Sequence, residues 1–251
     1  MARKLMEGAA PFSASNGPFG VLVLHGFTGT PRSMRPLADA FADAGFSVEL
    51  PLLPGHGTSP EDLESTRFDD WSAAADEAFV SLAARTDRTA AVGLSMGGTL
   101  ACWLAERHVE VAGLVLVNPL VKPPAAEAVE MLRGALEAGV RTMPTIGSDI
   151  AKPDASGGGY DATPVAPLVS LFDATVGVAE RLGEIACPVL LLSSRVDHVV
   201  PTESGDLVEG TVAGPVERVW LERSYHVATL DHDAAELEAR AVAFAQKLMV
   251  A

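Results

Sequence analysis

The sequence predicts an α/β fold built on a mostly parallel, doubly wound sheet, and three observations carry that expectation. Short apolar, β-branched runs recur at residues 21–24, 46–50, 89–94, 111–118, 188–193 and 216–221. Segments with helical periodicity separate them, and single crossovers between strands imply parallel neighbours and right-handed connections. The third observation is a break in that rhythm: residues 121–181 hold no run that reads as a strand.

Each element has a local reason. The run at 21–24 ends in a glycine-rich turn, HGFTG. From Arg35, Leu37, Phe41 and Ala44 fall on one helical face, and Gly45 provides a stop. The strand at 46–50 leads into PLLPGHGTSP, too rich in Pro and Gly for regular structure. Between Asp70 and Ala84, Trp71, Ala74, Ala75, Ala78, Phe79 and Leu82 form a continuous helical stripe. The last helix, from Asp233, aligns Leu237, Ala241, Phe244 and Leu248, and Asp233 with Glu236 has capping-box spacing. Within 121–181, Val129, Leu132, Leu136 and Val140, then Val165, Leu168, Val169, Phe172 and Val176, mark two amphipathic helices joined by a loose linker at 153–159. The expected organisation is one core, 1–120 with 182–251, and a helical insertion, 121–181, covering the carboxyl ends of the strands.

Composition narrows the function. A chain of 251 residues, 48% hydrophobic, has material for one substantial core. No apolar run reaches the ~18 residues of a membrane span, so no stable membrane insertion is expected. A formal charge of −15 opposes phosphate backbones, so no nucleic acid partner is expected. Residues 1–17 have two early cations but no apolar stretch of the kind a secretory signal needs. Cys102 and Cys187 read as buried free thiols, and the expected location is cytoplasmic. Oligomeric state is left between monomer and weak dimer.

The sharpest chemical signal is Gly93-Leu94-Ser95-Met96-Gly97. A strand runs into it, and a helix with Leu100, Trp103 and Leu104 on one face leaves it. In that setting a serine sits on a strained elbow, with small neighbours because side chains would collide as the turn tightens. A serine hydroxyl needs a base. His226, in the loop after the last strand, has the expected position. His232 precedes the terminal helix and reads as solvated. Asp197, in SSRVDHVVP just after a strand, is the expected carboxylate to orient the imidazole. Asp206 reads as a surface charge, and His198 as structural. Acyl transfer also needs backbone donors for an oxyanion. Phe27, in the first strand's turn, and Met96, next to the serine, are placed to supply them, and both then touch substrate. His25 and His56 read as loop braces and His108 has no context. There is no metal-ligand spacing, no G-x-G-x-x-G and no Walker pattern, so no cofactor is implied.

HGFTGTPRSMRPLA, PLLPGHGTSPEDL, GLSMGG, SSRVDHVVP and SYHVATLDHD together resemble the bacterial monoacylglycerol lipases and kindred small carboxylesterases of the α/β-hydrolase superfamily. The resemblance covers about residues 18–125 and 183 onward. It implies an α/β-hydrolase fold with a small helical cap inserted after the sixth strand, an Ser95–Asp197–His226 triad, and Phe27 and Met96 as oxyanion donors. It also implies a narrow apolar tunnel for one acyl chain, a polar pocket for glycerol, and Ile146 in the cap segment TIGSDI as a substrate contact. Gly157-Gly158-Gly159 departs from the family pattern at the cap. The expected substrate is a small lipid ester, a monoacylglycerol cleaved to fatty acid and glycerol through an acyl-serine. The alternative is a general carboxylesterase acting on short-to-medium-chain esters.

Overall fold

Continuous apolar runs form strands here because both faces of the sheet are covered by helices. In the computed structural model, which describes residues 4–145 and 148–250, these runs are β2 (Phe19–Leu24), β4 (Arg88–Leu94), β5 (Val111–Val117) and β8 (Val189–Ser194), buried almost throughout. With β1 (Phe12–Ala14), β3 (Ser47–Leu50) and β9 (Val216–Leu221) they make a seven-stranded sheet ordered β1-β3-β2-β4-β5-β8-β9. All pairs are parallel except β1 with β3.

Alternate side chains along each strand feed two cores. Leu22, Leu24, Ala91, Leu114, Leu116 and Leu191 face one side, where they meet Trp71 and Phe79 of α3 (Phe68–Ala83) and Leu100 of α4 (Met96–Ala105). Val21, Val23, Val92, Val115, Val117 and Leu192 face the other, against Phe41 of α1 (Arg35–Asp43) and Leu237, Phe244 and Leu248 of α8 (Ala234–Val250). Two further helices, α2 (Pro60–Glu64) and α7 (Glu203–Thr211), bury Leu63 and Val208 in the first of these cores. From β2 the chain passes to β3 on one side, and β4 then pairs with β2 on the other. The carboxyl ends of β2 and β4 therefore lie at a topological switch point, where open α/β sheets bind ligands.

The 121–181 segment contains the two expected helices, α5 (Ala126–Glu137) and α6 (Val165–Arg181). It differs from the expectation in two ways. It follows β5, the fifth strand in chain order rather than the sixth, because a single antiparallel strand precedes the parallel run. It also contains two short strands, β6 (Thr142–Pro144) and β7 (Ala162–Pro164), paired antiparallel. Three residues each, ending in proline, leave no alternating pattern to read. α6 packs on α2, α3 and α4, whereas α5 has no buried residue and rests on α6. Val140, expected on the α5 stripe, lies beyond the helix and is exposed, as is Ala44 at the end of α1.

The capping box expected at α8 does not form. The Asp233 carboxylate instead accepts from the Arg223 and Ser224 N–H groups and from Ser224 Oγ, and the Asp233 N–H donates to Ser224 Oγ. Glu236 pairs with Arg240. A loop before the helix offered Asp233 more donors than the helix end did. Cys102 is buried, and Cys187, expected to be buried as well, is only half-buried.

Candidate active site

Ser95 joins β4 to α4 with φ 56° and ψ −117°, a strained conformation for a side-chain-bearing residue. The surrounding packing enforces it. A Cβ on Gly93 would overlap the Gly97 carbonyl, and one on Gly97 would overlap the carbonyl of Leu24. Their absence lets β4, α4 and the end of β2 close up and force the turn. The Ser95 N–H donates to the Val117 carbonyl (3.0 Å), and the Ser95 carbonyl accepts from Gly98, Thr99 and Leu120. The residue is 8% exposed. It sits at the amino end of α4, where the helix dipole favours developing negative charge.

Asp197 follows β8. Its Oδ1 accepts the N–H groups of Val199 and Val200, both at 2.8 Å, which fixes the carboxylate plane. Its Oδ2 lies 2.8 Å from His226 Nδ1. Both side chains are almost wholly shielded, 2% and 8% exposed. A carboxylate can only accept, so Nδ1 carries the proton and Nε2 is the free basic nitrogen.

The loop holding His226 is tied down by side chains the sequence did not single out. Asn118, at the end of β5 with φ +43°, donates from Nδ2 to the His226 carbonyl (2.8 Å) and to Ser194 Oγ (3.0 Å). Its Oδ1 accepts from the Ser194 N–H (2.8 Å). Asp231 accepts the N–H groups of Tyr225, Ala151 and Lys152. A buried polar residue at the carboxyl end of an apolar strand was the one available signal for Asn118.

Ser95 and His226 open onto one cavity of about 510 Å³, within the size range of small-molecule sites. Phe27, Leu94, Leu120, Leu168, Leu171 and Phe172 give it apolar walls, while Thr28, Ser33, Ser148 and Asp161 contribute polar groups. Residues of β6, β7 and α6 form its outer side, and Tyr160 anchors that side to the core: its hydroxyl donates to the Gly55 carbonyl (2.8 Å) and accepts from the Thr58 N–H (3.0 Å).

Phe27 lines the cavity, and its ring packs on Trp71 and His56. The turn carrying it touches Ser95: a Cβ on Gly26 would lie 3.4 Å from Ser95 Cβ. Among the described residues, neither the Phe27 nor the Met96 N–H has a protein acceptor. Met96, also expected to touch substrate, buries its side chain completely in the core and is not among the lining residues, so its backbone is what it presents beside Ser95. Ile146 lies outside the described residues.

None of the other histidines is among the described residues that line the cavity. His25 and His56 are buried with rings 5.0 Å apart. His25 Nε2 accepts from the Leu53 N–H, so Nδ1 donates to the Gly26 carbonyl. Burial pushes His25 down to about 4. Burial, aided by the neighbouring His25, pushes His56 to about 3. His108 pairs with Asp76 and Glu110, His198 with Asp149, and His232 is exposed. Asp206 pairs with Arg218 at the surface of α7.

A serine on a strained strand-to-helix turn, over a parallel sheet with a histidine–carboxylate pair at the same rim, defines an α/β hydrolase. Residues 21–145 match the family model described as alpha/beta hydrolase fold. The chain is 45% identical over 244 residues to a thermostable monoacylglycerol lipase of Bacillus sp. (strain H-257), covering 97% of this chain and 96% of the relative. It is 29% identical over 241 residues to a carboxylesterase of Bacillus subtilis (strain 168), covering 95% and 96%. A solved structure from a pair of metagenome-derived lipolytic enzymes, LipS and LipT, superposes with a TM-score of 0.93 at 38% identity, covering 97% of this chain and all of that one. The chain belongs to the monoacylglycerol lipase family of the α/β-hydrolase superfamily.

Proposed function

We propose that the chain hydrolyses monoacylglycerols to fatty acid and glycerol. His226 Nε2 takes the Ser95 proton as Oγ attacks the ester carbonyl, and Asp197 holds the imidazole and stabilises its cation. The N–H groups of Phe27 and Met96 receive the developing oxyanion. The tetrahedral intermediate expels glycerol with the proton returned from His226. Water, deprotonated by His226, then releases the acid from the acyl-serine.

The observation that carries this reading is that His226, bonded through Nδ1 to the shielded Asp197 carboxylate, opens with Ser95 onto one largely apolar cavity. The 45%-identical lipase supports the head group. In this reading 121–181 is a cap over the core formed by 1–120 and 182–251, and the protein works in the cytoplasm on lipid esters without inserting in the membrane. Among the described residues no helix is long and apolar enough to cross one.

The carboxylesterase relative favours a second reading, a general esterase. Rates on monoacylglycerols against ethyl esters of equal chain length separate the two. The lipase reading expects higher kcat/KM on the glycerol esters; preference for the ethyl esters would replace it with the esterase reading.

A further inference from the structure

Both backbone polar groups of His226 are held by side chains from other elements. Its carbonyl is held by Asn118, while its N–H donates to Asp149 Oδ2 at 3.2 Å. The same Oδ2 accepts the N–H of His198 (3.1 Å), the residue directly after Asp197, and Oδ1 lies 2.7 Å from His198 Nδ1. The Asp149 carbonyl accepts the N–H of Val227, the residue directly after His226 (3.2 Å). The Asp149 side chain is 8% exposed. One shielded carboxylate thus spans the loop after β8 and the loop after β9, touching the backbone at or beside both members of the acid–base pair.

Asp149 comes from neither loop. It belongs to the 121–181 segment, one residue after Ser148, which lines the cavity. The tie is reciprocal, because Asp231 of the histidine loop accepts the N–H groups of Ala151 and Lys152. Two carboxylates therefore stitch residues 149–152 to the histidine loop in both directions, so the cavity's outer wall and the imidazole's position are mechanically joined.

We infer that Asp149 is a positioning residue for the hydrolytic reaction, which holds His226 and the Asp197 loop in register and couples that register to the outer wall of the cavity. The inference rests on the reading of Ser95, Asp197 and His226 as the working triad. Replacing Asp149 by Ala leaves the His226 and His198 N–H groups without their acceptor and frees the imidazole to drift, and small misplacements of reacting groups are costly. Asn at 149 keeps one oxygen for the two backbone donors. Glu keeps the charge but displaces it by one methylene.

The test uses the full chain and p-nitrophenyl butyrate, with kcat counted per site titrated by a fluorophosphonate and thermal melting followed in parallel. Asp149→Ala is expected to lower kcat roughly 10- to 100-fold with KM little changed. Asp149→Asn is expected to recover most of that loss, and Asp149→Glu to stay impaired. Should the alanine variant fail to fold, the Asn and Glu variants carry the comparison. Unchanged kcat per titrated site in Asp149→Ala, whatever its melting temperature, would overturn the inference and leave a purely structural tie. So would a loss confined to KM, or a glutamate variant equal to wild type. An inert wild type would overturn the triad reading itself, and this inference with it.

Discussion

The side chain of Asn118 reaches the carbonyl oxygen of His226 across 2.8 Å while its own oxygen takes the Ser194 N–H. One amide at the end of β5 thus fixes the ends of two neighbouring loops, one bearing Asp197 and one bearing His226. Its φ of +43° is a conformation Asn tolerates better than most residues.

Asn118→Ala should therefore cost about 2 to 3 kcal/mol of folding stability, from buried donors and acceptors left unpaired. It should also lower kcat at temperatures where the variant remains folded. Asn118→Asp should do no better, because it sets a carboxylate oxygen against the His226 carbonyl. Denaturant melts with parallel kinetics check both. A fully active, fully stable Asn118→Asp would show that the donated bond does not matter.

Ser95→Ala and His226→Ala should each lower kcat by roughly 10⁴-fold or more, and the double variant should lose little beyond either single one, because the pair acts as a unit. Multiplying losses would mean that the two act in separate steps. His232→Ala, at an exposed position, should keep wild-type kinetics.

Leu168, on α6, lines the cavity. Leu168→Trp should shorten the space for an acyl chain and move the preferred ester to fewer carbons, with kcat/KM for long chains falling about 10-fold or more. A chain-length series measures this. An unchanged profile would place the acyl chain elsewhere in the cavity.

Acid should destabilise the fold through His25 and His56. Burial lowers both from 6.5, so the unfolded chain takes up protons first as pH falls. Their contribution is complete above about 6.5 and is lost on acidification towards about 4 and about 3. At pH 5 the loss is roughly 2 kcal/mol for each. Glu106 works in the opposite direction. Burial, only partly offset by Arg107 and Arg181, raises it from 4.5 to about 7, so it costs stability as pH rises through that window. Two histidines outweigh one glutamate, and stability should fall on net between pH 7.5 and 5. Glu106→Gln should make that fall steeper. Denaturation midpoints at the two pH values test this, and a flatter profile in the variant would contradict the assignment.

Much of this fold was legible because β2, β4, β5 and β8 are buried on both faces and read as unbroken apolar runs. β1 escaped notice because three residues on a sheet edge, FSA, carry no pattern, and β6 and β7 escaped for the same reason. Ser95 was legible because the elbow's constraints are local: Gly93 and Gly97 announce the close packing two residues to either side. That His226 and Asp197 meet was legible because they follow β9 and β8, neighbouring parallel strands that end at the same rim. Asn118 and Asp149 were not. Their bonds to His226 cross 108 and 77 positions of chain, and an isolated Asn or Asp looks like any polar residue until the loops meet. Asp233 shows the converse. Its spacing from Glu236 met the local rule for a cap, but the donors of residues 223 and 224 claimed its carboxylate.

The most direct measurement is peptide mapping after reaction with a fluorophosphonate. The account predicts a single adduct on Ser95 in the wild-type chain, none in Ser95→Ala, and formation slowed by orders of magnitude in His226→Ala. An adduct on another residue, or labelling of Ser95 at full rate without His226, would contradict it.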